Sequence, residues 1–149
     1  MNIPEIKEGV AIRYPGTGPA LGYDRAHTHV VITNPDDKET VLLVSICSFD
    51  RFSDQTCVLE ADNTWEPIVR KSYVAYHHSK RASVKNIMTS IGRQEITYLG
   101  PVPPEIFERI KAGVTVSKQT PEVFMRMFVD RQPQLRRQGR VLRSNPPKS

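Results

Sequence analysis

The stretch that decides the fold is His27–Phe49, HTHVVITNPDDKETVLLVSICSF. Two β-branched, apolar runs flank a Pro-Asp-Asp turn, the pattern of a β-hairpin. Upstream, Gly9–Tyr14 (GVAIRY) reads as a short first strand, and Pro15–Asp24 (PGTGPALGYD) is dense enough in glycine and proline to be a loop. Downstream, Thr56–Ala61 (TCVLEA), Pro67–Ser79 (PIVRKSYVAYHHS) and Ile96–Gly100 (ITYLG) read as further strands. Lys80–Glu95 (KRASVKNIMTSIGRQE) reads as a loop with a single helical turn, propensity not deciding the matter.

After Gly100 the character changes. Pro101–Val114 (PVPPEIFERIKAGV) places Ile106, Phe107 and Ile110 on one helical face behind prolines suited to a first turn. In Thr120–Asp130 (TPEVFMRMFVD), Thr120 is the expected N-cap and Pro121 the first helical residue, and Phe124, Met127 and Phe128 form an apolar stripe. Short strands followed by terminal helices give a β-dominated α+β plan, a small antiparallel barrel with C-terminal helices over one open side.

The 149 residues suit one domain, expected over residues 1–130, with 131–149 as a basic, flexible tail. With 38% hydrophobic and 25% charged residues the chain is globular. No apolar run approaches the ~20 residues that span a bilayer, and the N-terminus lacks a signal-peptide pattern, so a soluble cytoplasmic protein is expected. The net charge of +5 is unevenly laid down. Residues 1–66 hold 5 basic and 11 acidic side chains, 67–94 hold 6 basic and no acidic ones, and 131–149 again 6 and none. Such segregation points to a polyanion or an acidic protein partner.

Residues two apart on a strand share a face, so His27 and His29 point the same way. Zinc requires at least three protein ligands, and neither Cys47, Cys57, His77 nor His78 stands at a diagnostic spacing, so no metal and no other cofactor is expected. Without a secretory signal the cysteines read as buried, inert thiols. No glycine elbow, phosphate-binding loop or dinucleotide fingerprint is present. Imidazoles titrate near neutrality and can carry protons in metal-free RNA cleavage. His29 is the candidate acid or base, with His27 beside it. His77, Lys71, Lys80 and Arg81 are candidates for holding backbone charge, and Tyr73 and Tyr76 for stacking on bases.

The order of elements, the VVITNPD–VLLVSI hairpin, the Ser72–Tyr76 segment SYVAY and the LGPVP lead into a helix resemble the PemK/MazF-like toxins of bacterial toxin–antitoxin modules, over roughly Gly9 to Gly113. The resemblance implies an SH3-like barrel that cleaves single-stranded RNA without metal, often as a homodimer, held inactive by an acidic antitoxin. It implies catalytic roles for Ser45 or Ser48, at the serine position that ends the third strand, and a groove lined by Ser72 and Tyr76. In these toxins an arginine precedes the second strand, and here His29 stands in its place. Either the imidazole has assumed the arginine's role, or the fold serves a non-enzymatic binding duty for nucleic acid or protein.

Overall fold

The structure, a computed structural model, describes residues 4–14 and 27–132. The hairpin forms where the sequence puts it, between β1-flanked strands: β1 is Val10–Tyr14, β2 His27–Val31 and β3 Thr40–Ser48. Asp36 makes the turn, its Oδ1 accepting from the backbone N–H of Lys38 at 3.0 Å and of Thr40 at 2.8 Å. Glu39 takes the left-handed φ of 59° needed to re-enter β3. The chain continues through β4 (Val58–Leu59), β5 (Ser72–Ser83), α1 (Val84–Gly92), β6 (Thr97–Pro101), α2 (Pro104–Gly113) and α3 (Glu122–Asp130).

The strands form one six-stranded antiparallel sheet in the order β4-β5-β3-β2-β1-β6, curled into a half-barrel. The fold is thus β-dominated, as expected, with β4 and β6 at its two ends. Alternation along the strands builds two separate cores. Ala11, Val30, Leu42, Val44, Ile46, Val74 and Tyr76 face α2 and α3 and pack on Ile106, Phe107, Ile110, Phe124 and Phe128, with Trp65 as a lid. Ile12, Val31, Val41 and Leu43 face the other way and pack under Ile87 of α1.

Lys80–Glu95 is where structure and expectation part. β5 runs on to Ser83, whose hydroxyl accepts from the Asn86 N–H at 3.2 Å and caps a helix of nine residues. Val84, Ile87, Met88 and Ile91 stand at i, i+3, i+4, i+7 and give α1 an apolar face for the second core. In α3 the cap is Pro121 rather than Thr120, and the Thr120 hydroxyl is buried without a hydrogen-bond partner among the described residues. The stripe on α3 is formed as expected, with Phe124 and Phe128 buried and Met127 packed against them.

Arg131, expected to begin the tail, belongs to the fold. Its guanidinium meets Asp36 Oδ2 at 2.8 Å and donates to Thr40 O at 2.9 Å, clamping the end of α3 to the hairpin turn. The rest of the expected tail, from residue 133, lies outside the described residues.

A register shift in β5 sets up the site. Ser45 pairs with Ala75, but Leu43 pairs with Lys80, so Tyr76–Ser79 all lie opposite Val44. The extra residues reverse the alternation, so Lys80, not Arg81, emerges on the same side as Ser45.

Candidate functional site

Cross-strand partners share a face, and the register carries one face across four strands. Tyr14 pairs with His27 and Ile12 with His29; His29 pairs with Ser45, and Ser45 with Ala75. Tyr14, His27, His29 and Ser45 therefore line the sheet on the α1 side, next to the second core, and the bulge adds Lys80. The Lys80 ammonium sits 4.3 Å from the centre of the Tyr14 ring, and that ring meets His29 edge-on at 4.6 Å. His77 and His78, in the bulge, hold their rings 4.0 Å apart. Residues as distant in the chain as Tyr14 and Lys80 are thus assembled into one cluster of imidazoles, a phenol and an ammonium.

His29 is the centre of this cluster. It is only 7% exposed, and its Nδ1 is buried with no hydrogen-bond partner among the described residues. Burial lowers its pKa most, and the positive charge of Lys80 lowers it further; the His27 carbonyl pulls weakly the other way, and the net result is about 4. At neutral pH the ring is therefore uncharged, with one donor and one acceptor. His78 is lowered for the same reasons, burial first and then the neighbouring His77 and His27, and burial lowers Lys80 too. Burial raises the Tyr14 phenol. No carboxylate is among the groups that chiefly shift His29 or His78. An imidazole near 4 cannot deliver a proton as a general acid at neutral pH and is a weak base. An ammonium and exposed imidazoles beside it suit a phosphate.

The structure brings together His27, His29, Ser45 and Lys80 of the residues proposed from sequence, with His77 joined to them only through its ring contact with His78, and separates the others. Ser48, three residues beyond Ser45 on β3, points to the opposite face and pairs with Ser72. The Ser72 hydroxyl is itself spent on the Arg70 carbonyl at 2.8 Å. Tyr76 is a correction: it has no exposed surface, sits in the first core, and donates its hydroxyl to the Ile110 carbonyl at 2.7 Å. Arg81 lies opposite Leu42 on the other face, because of the bulge. Lys71 lies at the far end of the sheet, 4.4 Å over the Phe49 ring and 3.9 Å from Glu60. Cys47 and Cys57 are free thiols; Cys57 is buried as expected, Cys47 only half-buried, and burial raises the pKa of both. Among the described residues no three His, Cys, Asp or Glu side chains converge as metal ligands. Sequence reasoning missed Tyr14; the available signal was its position two residues after Ile12 on a strand that must pair with the histidine strand.

Compared with known families and with curated proteins, the chain matches no family model and no curated relative.

Proposed function

We propose that this chain is a small-barrel nucleic-acid-binding protein whose histidine-bearing face takes the backbone of single-stranded RNA. The observation that carries the reading is the buried Nδ1 of His29, unpartnered among the described residues and set among Lys80, His27 and His78. A buried polar atom left unpaired costs free energy, so its retention beside cationic and proton-carrying groups favours a site completed by a ligand. Of the six cations of residues 67–94, a block without acids in the sequence, Lys80 and Arg81 stand on β5 and Lys85 on α1, and their charge attracts a polyanion. The half-barrel is compatible with the SH3-like barrel of the PemK/MazF-like toxins, and that resemblance is the reason for naming RNA as the polyanion. The test is fluorescence anisotropy of a labelled oligouridylate against salt. The expected result is affinity that falls steeply with salt, weakened further in His29→Leu and Lys80→Ala. An affinity unchanged in both variants removes this face from the binding site.

A second reading, a metal-independent endoribonuclease of a toxin–antitoxin module, is favoured by the direct pairing of His29 with Ser45 and by the nearness of His27 to His78. In it the half-buried His27 and the exposed His78 transfer the protons, Ser45 donates to the phosphate and Lys80 balances the developing charge. Cleavage should then persist in a chelator and fall by ~10²- to 10⁴-fold in His27→Ala or His78→Ala. Intact RNA after incubation with wild-type protein leaves binding alone. An acidic antitoxin would compete with RNA for the same acid-free block, and a cytoplasmic, homodimeric toxin is the corresponding biological setting.

A further inference from the structure

The same sheet face continues past Ser45 to a second group of side chains. Beyond Ser45 on β3 stand Cys47 and Phe49, and Cys47 pairs with Tyr73 of β5. The Phe49 N–H donates to the Lys71 carbonyl at 3.0 Å, so the ladder extends one step past the strand. By alternation Ser45, Cys47 and Phe49 share a side with Ala75, Tyr73 and Lys71. The Phe49 and Tyr73 rings meet edge-on at 6.4 Å, and the Lys71 ammonium covers Phe49 at 4.4 Å. Immediately after, Phe52 is 78% exposed with the Arg51 guanidinium 4.8 Å from its ring centre. Its turn is held by Asp50, which accepts from the Phe52 N–H at 2.8 Å, so the ring is presented outward on a fixed backbone.

Exposed aromatic rings carrying cations are the construction by which proteins grip unpaired bases: the ring stacks and the cation takes the neighbouring phosphate. A large apolar side chain left in water at this position serves no core. Three carboxylates stand near: Glu60, whose contact with Lys71 is long at 3.9 Å and displaceable, and Asp50 and Asp54, which face Tyr73 but accept hydrogen bonds from Phe52 and Ser53 and from Thr56 and Ser117.

We propose that Phe52, Phe49 and Tyr73, with Arg51 and Lys71, form a base-stacking subsite for single-stranded RNA, separate from the histidine cluster but on the same strand track. Four residues of extended chain separate Ser45 from Phe49, roughly 13 Å, so one short oligonucleotide reaches both. The inference rests on the RNA reading of the histidine face and adds a second anchor that reads bases rather than phosphates.

The experiment uses a single-stranded RNA decamer carrying 2-aminopurine, whose fluorescence changes on stacking, and base-free polyphosphate as a second titrant. Phe52→Ala is expected to weaken the decamer about tenfold, within the range measured for loss of one stacked base, and to abolish most of the fluorescence change. It should leave polyphosphate affinity and melting temperature unchanged, because the removed ring touches no core. Lys80→Ala should weaken both titrants. Unchanged decamer affinity in Phe52→Ala together with Phe49→Leu overturns the stacking subsite while leaving the histidine face in place; equal losses for decamer and polyphosphate also overturn it. No binding of the decamer by wild-type protein at low salt overturns the RNA reading and this inference together.

Discussion

The two faces of the sheet are made by the same strands and are built by opposite rules. Toward α2 and α3, Val30, Ile32, Leu42, Val44 and Ile46 are all apolar, and the buried phenol of Tyr76 closes a hydrogen bond on the Ile110 carbonyl. That carbonyl is one of the last four of α2 and has no partner within the helix, so the bond ties helix end to sheet. Gly113 belongs to the same joint: a β-carbon there would run into the Tyr76 hydroxyl. Toward α1 the face is apolar only as far as Leu43 and Val31, and then becomes Ser45, His29 and His27. There a ring nitrogen is buried and, among the described residues, unpartnered. The first face is optimised for folding; the second gives up part of that optimum, which is where a ligand is to be looked for.

The contrast can be broken most forcefully at Tyr76. Tyr76→Ala should cost about 4 kcal/mol in denaturant unfolding, by cavity formation and a lost hydrogen bond, while the fraction that remains folded still binds RNA. Loss of binding at full stability would place Tyr76 in the site after all.

The next effect is one of pH. The folded protein holds His29 neutral down to about 4, whereas an unfolded histidine takes its proton near ~6.5. The unfolded state thus binds more protons between those values, so stability is complete above ~6.5 and falls by roughly 3 kcal/mol as pH drops towards 4. His29→Leu should remove most of that slope and lose nothing at pH 7, because it also removes an unsatisfied nitrogen. A variant that is markedly less stable at pH 7 would mean that the ring is a packing element of the second core.

A smaller effect belongs to the clamp at the hairpin turn. Arg131→Ala should cost about 1–2 kcal/mol, since several hydrogen bonds to a charged, half-buried group are lost. Hydrogen bonds from the Thr40 backbone, and then the Arg131 charge, hold the Asp36 carboxyl below its usual range. Its contribution is therefore complete above ~3.9 and is lost as pH falls further, a window below that of His29. Thermal melts of wild type and Asp36→Asn at pH 5 and pH 3 check it: the gap between them should narrow at the lower pH.

The smallest expected change compares neighbours. Lys80→Ala should lower RNA affinity and reduce the steepness of its salt dependence by roughly 0.7, the value of one phosphate contact on a single strand, whereas Arg81→Ala should do neither. Equal effects would mean that the bulge does not decide which cation faces the ligand.

Much of the scaffold was legible because its signals are local. The Pro35-Asp36-Asp37 turn, the alternation through Val30 and Leu43, and the prolines ahead of α2 each act within a few residues of themselves. The α1 pattern, Val84, Ile87, Met88 and Ile91, was equally present in the sequence but was hidden by the weak helix formers around it, Asn86, Thr89 and Ser90. It became a helix because the second core had an open side to fill. Of the candidate site, His27 and His29 were legible as a shared face by strand period alone.

What the chain determined by itself is therefore the set of elements, the pairing of the hairpin and the accumulation of cations between Pro67 and Gln94. Which of those groups meet was decided only by register. A shift within β5 turned Lys80 toward His29 and Arg81 away, pairing sent Ser48 to the far side of Ser45, and the packing of α2 buried Tyr76. Register and packing are set by contacts between residues far apart in the chain, and no local preference encodes them.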